Sequence, residues 1–296
     1  MPVGRTTTDS VNDSLDVVVA GARAVREYEG VMSKLVDNQT LEEGTGVSWK
    51  ETSYRKLADP QQVTEDTEIN NPQQVVDDAL VVTPYMVVIE TFMSDRVANR
   101  MSKKGLAKIG GLAMNSVTRY KDKAGLLVLD GFTVISGGAG TTMNSDYIAR
   151  AVVRGRSNTT EGAMGPARTV LHGFQAYDIQ SEITASVGSQ PVTDGLTARV
   201  FMDGAIAIGK VGGSEIYIDD NLSIDADSDA KGGTFFEKAI VLVNGTIKTP
   251  ETMRRPNVGG GGTSVFTRDE FAYAERLAGG TTSAWGYEQY SDATSP

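Results

Sequence analysis

Aspartates alternate at Asp225, Asp227 and Asp229, spaced like the first half of a calcium-binding loop. Such a loop needs glycine at its sixth position and a bidentate glutamate at its twelfth. Those places hold Ala230 and Phe236, with Glu237 one residue late. The stretch reads as a solvated acidic turn, with a weak calcium site as the alternative. The single histidine, His172, has the chemistry of a general base, but no Gly-x-Ser-x-Gly elbow supplies a nucleophile for it. It closes the apolar run Thr169-Val170-Leu171 and reads as structural. Gly137-Gly138-Ala139-Gly140-Thr141-Thr142 has a phosphate cradle's composition without the lysine such a loop requires, so it reads as a turn. Lys50, Lys56 and Glu51 would suit a lysine–asparagine isopeptide link only if an asparagine and a buried carboxylate arrived in trans; ordinary exposed charge is the expected reading. No catalytic residue, cofactor site or metal site is assigned.

One constellation is larger. Arg96, Arg100, Lys103, Lys104, Lys108 and Arg119 line one face of an expected helix. Phosphates would meet such a face through charge alone, without reading sequence. Residues 91–123 hold eight basic and two acidic residues, a net of +6 within a chain whose total is -10, so the remainder stands at -16. That split favours pairing with the acidic surface of another subunit over DNA binding. No aromatic residues are interleaved there to stack single-stranded bases.

Composition excludes whole classes. The 296 residues contain no cysteine, which removes disulfides, zinc ribbons, iron–sulfur clusters and thiol nucleophiles. One histidine removes a His-rich metal site. No apolar run approaches the roughly 18 residues of a membrane span, so no membrane partner is expected. Met1 to Asp13 is polar and lacks a signal segment.

The elements that would position these residues follow from periodicity. Residues 1–13 read as a mobile arm. From Ser14 to Val36 apolar residues recur at helical spacing, weakened by Gly21 and Gly30. Val47–Arg55 and Gln74–Ile89 read as two strands of a long hairpin with a polar tip, an element that is marginal by itself in water. A helix is expected over Ser94–Lys121, roughly 28 residues and about 42 Å long. Leu126–Leu129 reads as a buried strand, Asn144–Gly155 as a helix, Ala167–Leu171 as a strand and Phe174–Ala185 as a helix. Short strands are expected at Ala198–Phe201, Ala205–Ile208, Glu215–Ile218 and Ala239–Asn244. Thr249–Gly262 reads as a loop carrying Arg254 and Arg255, Val265–Leu277 as a strand, and Gly279–Pro296 as a polar tail anchored by Trp285, Tyr287 and Tyr290.

This order of elements resembles the major capsid proteins of tailed bacteriophages, with their α+β HK97-like fold. Four stretches carry the resemblance: Val82-Thr83-Pro84-Tyr85-Met86 running into Ser94-Asp95-Arg96-Val97-Ala98; Gly125 to Gly131; Val170 to Gln175; and Asp229-Ala230-Lys231-Gly232-Gly233 through Val241-Leu242-Val243-Asn244-Gly245. Phe271 to Arg276 fits the returning strand. The likeness covers about residues 14–290.

The resemblance implies an N-terminal arm at 1–39, an extended hairpin loop at 40–85, a peripheral domain with its spine helix at 86–128, an axial domain at 129–236, and the rest of the peripheral domain with the C-terminal tail at 237–296. It implies homo-oligomers, hexamers and pentamers of an icosahedral shell around double-stranded DNA. A portal is expected, and a separate scaffolding protein, since only some forty residues precede the hairpin. The virion would be its location, after assembly in the host cytoplasm. Trp49, Lys50, Tyr54 and Arg55 on the hairpin, Arg96, Arg100 and Lys104 on the helix, and Arg254 and Arg255 at local three-fold contacts are the expected subunit-interface residues. A bacterial nanocompartment shell, encapsulin-like, is the alternative within the same fold. An α+β enzyme is the third reading, and His172 its best candidate.

Overall fold

The structure is a computed structural model, described here over residues 30–44, 46–60, 62–65, 72–100, 103–187, 207–246, 251–278 and 283–295. The expected arm at 1–13, the expected helix up to residue 29, the hairpin tip at 66–71 and the strand expected at 198–201 lie outside these residues.

The described chain starts with a short helix, α1 (Met32–Leu35), that buries Met32 and Leu35, then β1 (Asp37–Thr40). Strands β2 (Trp49–Tyr54) and β3 (Asp77–Val82) pair antiparallel from Trp49↔Val82 to Tyr54↔Asp77, forming the expected hairpin. Its second strand is shorter than expected. Pro84 has no N–H to donate to a ladder, and the chain breaks there. After the break β4 (Tyr85–Ser94) pairs with a different strand. Over the expected helix the described residues form α2 (Asp95–Arg100) and the spine α3 (Lys103–Asp130), which runs on past Lys121. Leu126–Leu129 is therefore helix, not strand. A run of four apolar residues fits either element. Here Leu126 and Leu129 are buried while Leu127 is 69% exposed, which is helical spacing.

Next come β5 (Ile135–Gly137), α4 (Ser145–Arg156), β6 (Ala167–Leu171), α5 (Gly173–Val187), β7 (Ala207–Val211), β8 (Ser214–Ile218), β9 (Asp229–Phe236) and β10 (Ile240–Asn244). The Asn144 side chain caps α4, accepting the Tyr147 N–H at 3.1 Å. The segment read as a loop at 249–262 contains a strand, β11 (Glu251–Arg254), hairpinned to β12 (Gly262–Glu275). The two-residue strands β13 (Leu277–Ala278) and β14 (Ser283–Ala284) pair with each other. The segment read as a tail supplies β15 (Gly286–Asp292).

Two sheets share one core. In the first, β12 is central: β10 and β11 lie on one edge of it, β4 on the other, and β1 extends β10 in parallel. The second runs β5-β15-β9-β6-β8-β7. Its β15 lies between β5 and β9, so the division expected at residue 236 cuts across a continuous sheet. Leu126, Leu129 and Phe132 at the end of the spine meet Phe235 of the second sheet and Ile240, Leu242 and Phe271 of the first.

The spine lies very close to the first sheet. A Cβ at Gly125 would stand 2.9 Å from both Met32 Cβ and Tyr273 Cζ. Gly125→Ala is expected to destabilise the subunit by about 1–3 kcal/mol in urea unfolding, because the core must shift to admit a methyl group. Gly111→Ala, in open space on the same helix, should instead stabilise by up to about 1 kcal/mol, the helix-propensity gain alone.

Candidate subunit-interaction surfaces

Pleating gives the β2–β3 hairpin two unlike faces. Trp49, Glu51, Leu80 and Val82 face the body, and Val82 joins Val241, Val243 and Ala272 in a small apolar cluster. Arg276 fastens this root: it meets Asp37 at 2.7 Å and Glu51 at 2.6 Å, and lies over the Trp49 ring at 5.9 Å. A cleft of about 580 Å³ remains between hairpin and body, lined by Trp49, Glu51, Leu80, Glu275, Arg276 and Trp285 among others. Lys50, Tyr54 and Val81 face outward, with Tyr54 71% and Val81 51% exposed. Beyond the strands Leu57, Val75 and Val76 are exposed as well. The hairpin thus presents an apolar surface that the described residues leave uncovered.

The expected interface residues separate into groups. Lys50 and Tyr54 are free on the outer face, while Trp49 is turned inward onto its own chain. Arg55 is held by Asp78 at 2.6 Å across the hairpin. Arg96 and Arg100 are exposed on α2. Lys104 lies in the first turn of α3, and its side chain is outside the described residues. Arg254 binds Asp95 at 2.8 Å and Arg255 binds Glu90 at 2.8 Å. The Asp95 N–H also donates to Gly261 O at 3.3 Å. The β11–β12 turn and the start of α2 therefore meet, which brings Arg96, Arg254 and Arg255 to one end of the first sheet. Lys121 departs from the solvated basic face. It turns onto the sheet, donating to Asn244 Oδ1 at 2.7 Å and pairing with Asp269 at 3.0 Å.

The smaller constellations all resolve into structural devices. Asp225 Oδ1 accepts the N–H groups of Asp227 and Asp229, at 3.0 and 2.9 Å. Asp229 is buried rather than solvated and accepts the Gly140 N–H at 2.8 Å. These oxygens close a turn and tie it to the Gly137–Thr142 turn, whose Gly138 N–H donates to Tyr290 O at 2.9 Å. No group of three or more metal-ligating side chains occurs among the described residues. His172 Nδ1 accepts the Phe174 N–H at 3.2 Å at the start of α5. Burial holds its imidazole below the ordinary value, and the Asp220 charge offsets part of that. Glu51 is bound to Arg276, so it is not a free carboxylate beside Lys50 and Lys56.

These surfaces stand on a fold that recurs in solved structures. The capsid of Ralstonia phage GP4 matches with a TM-score of 0.67 at 13% identity, over 95% of this chain and 96% of that one. The capsid of cyanophage P-SCSP1u matches at 0.67 and 11%, over 98% and 96%. This is the HK97-like capsid fold. The holo-SrpI encapsulin complex from Synechococcus elongatus shares it, with a TM-score of 0.61 at 10% identity over 98% of this chain and 97% of that one. No protein-family model matches the sequence, and neither does any curated protein.

Sequence reading missed the Arg276 root and the carboxyl of Glu275. Glu275 Oε1 is buried without a hydrogen-bond partner, and desolvation pushes its carboxyl up to about 7. A carboxyl whose folded value is raised contributes stability below its unfolded value, and that contribution is lost as pH rises through the folded value. The melting temperature should therefore fall by a few degrees between about pH 5 and pH 8. Glu275→Gln should flatten part of that slope, as differential scanning calorimetry would record.

Proposed function

We propose that this chain is the major capsid protein of a tailed phage. Its copies form the hexamers and pentamers of an icosahedral shell that encloses double-stranded DNA. The observation that carries the reading is the β2–β3 hairpin, rooted on an HK97-like body and leaving Tyr54, Val75 and Val81 exposed among the described residues. An apolar surface of that kind supports burial under or over a second copy. Lys50, Tyr54 and Arg55 on the hairpin would meet a neighbour directly, with Trp49 setting the angle of the hairpin root. Arg96, Arg100, Lys104, Arg254 and Arg255 would form a second contact, at local three-fold positions, facing the acidic remainder of neighbouring subunits. A net charge of -10 also suits a container whose DNA must move during packaging, because phosphate binding grows with the cations presented. Scaffolding protein and portal would be separate chains, and assembly would take place in the host cytoplasm.

The likeness to an encapsulin complex at 98% coverage of this chain supports a second reading, a protein-filled nanocompartment. One experiment separates the two. The chain is expressed alone and with a candidate scaffold, sized, and imaged by negative-stain electron microscopy. Closed polyhedra or capsomer rings support shell formation, and DNA or an enzyme in the lumen distinguishes phage from nanocompartment. A monomer under both conditions would count against both readings.

A further inference from the structure

At residues 30–32, where the described fold begins, two carboxyls meet with no cation between them among the described residues. Asp122 on α3 is 3% exposed and Asp219, just after β8, is fully buried. Asp219 Oδ2 accepts the Val31 N–H at 3.1 Å, and Asp122 Oδ1 accepts the Met32 N–H at 3.0 Å. The remaining two oxygens are bridged by one residue. The Asn221 N–H donates to Asp219 Oδ1 at 3.0 Å, and its Nδ2 donates to Asp122 Oδ2 at 3.0 Å. The approach is so close that a Cβ at Gly30 would fall 2.0 Å from Asp122 Cγ.

We propose that Asp122 and Asp219 share one proton and form a clasp on the backbone at Val31 and Met32, so that losing the proton loosens the attachment of the N-terminal segment. Two buried carboxylates in contact repel strongly, and a shared proton removes that repulsion while every oxygen keeps its N–H donor. Neighbouring charges do not take the proton's place. Lys121 is turned to Asn244 and Asp269, and Lys123 is exposed. Asp220 is turned to the Gly173 N–H and towards His172. From β12 the only titratable group facing Asp122 is Tyr273, held neutral by burial first and by the Asp122 charge second. Segment 30–32 contributes only backbone. Burial first, and the Asp122 charge next, push the Asp219 carboxyl up to about 7, above its unfolded range. The sign follows: the clasp is fully closed in acid and is lost as pH rises through about 7.

The inference concerns the subunit and does not rest on shell assembly. It is tested by hydrogen–deuterium exchange on the full-length chain from about pH 6 to about pH 8.5, corrected for intrinsic exchange. The Val31 and Met32 amides should lose at least about tenfold of their protection across that range, while β6 amides hold theirs. Asp219→Asn, which keeps a donor towards Asp122 but cannot ionise, should show no such loss. Should that variant fail to fold, Asp122→Asn serves instead: Asp219 is then raised by burial alone, and the loss should be smaller than in the unaltered chain. Protection at Val31 and Met32 that is flat with pH in the unaltered chain, or that falls equally in a variant or throughout the core, overturns the clasp.

Discussion

Leu129→Ala is expected to cost the subunit about 2–5 kcal/mol, and Leu127→Ala no more than about 0.5 kcal/mol. Leu129 is fully buried, and its Cδ2 lies 2.9 Å from the position a Cβ on Gly233 would take. The glycine in β9 lets the spine helix descend onto the second sheet. Removing the isopropyl group there opens a cavity in the cluster that holds Phe132, Phe235, Ile240 and Leu242. Rigid strands on both sides limit collapse into the cavity, so the loss should fall in the upper part of the range. Leu127 points to solvent. The pair also tests the element itself, because in a strand residues 127 and 129 share a face and would respond alike. Urea unfolding of the two variants measures both, and equal losses would argue against a helix through residue 130.

Replacing the outward apolar side chains of the hairpin should abolish assembly and leave the subunit folded. In the triple variant Tyr54→Ser, Val75→Ser and Val81→Ser, each side chain removed is exposed in the subunit. Unfolding free energy should change by no more than about 1 kcal/mol, the range of strand propensity on an open face. Burying such a side chain under a neighbour is worth about 1.5–3 kcal/mol at most, and half of that for a half-exposed group. Three of them weaken each contact by several kcal/mol, more than about a hundredfold in affinity. In the proposed shell the contact would recur at every subunit, so closed particles should vanish from electron micrographs while circular dichroism is unchanged. Shells at the unaltered yield would remove the hairpin from the assembly reading.

Much of the fold is legible in the residues taken singly. The absence of cysteine excludes whole chemistries before any element is drawn. The β-prone runs Val47–Arg55 and Gln74–Ile89, on either side of a polar stretch, mark a hairpin that cannot bury itself. The run from Asn144 to Gly155 marks α4, with Ser145 or Asn144 as its cap, and the structure uses Asn144. The segregation of basic residues between Arg96 and Lys123 is a property of the chain whatever its fold.

Other features exist only once strands from distant parts of the chain lie side by side. Gly286 to Asp292 reads as a polar tail, yet Gln289 and Ser291 are fully buried in β15. Across the second sheet Ser214, Thr169, Thr234 and Gln289 hydrogen-bond in succession, at 2.7, 2.8 and 3.0 Å. Gln175 of α5 donates to Ser291 Oγ at 2.8 Å. No local pattern marks a polar residue as internal, because burial is tolerated only when a partner from another strand satisfies it. The same holds for Lys121, drawn from the basic face by Asn244 and Asp269, and for the Asp122–Asp219 clasp, whose members are 97 residues apart. Residue type and spacing determined the classes excluded, the hairpin, the cap and the charge split. Which polar groups lie inside, and which strands hold them, was decided by tertiary pairing, since a buried hydrogen bond is a property of two segments and is written in neither alone.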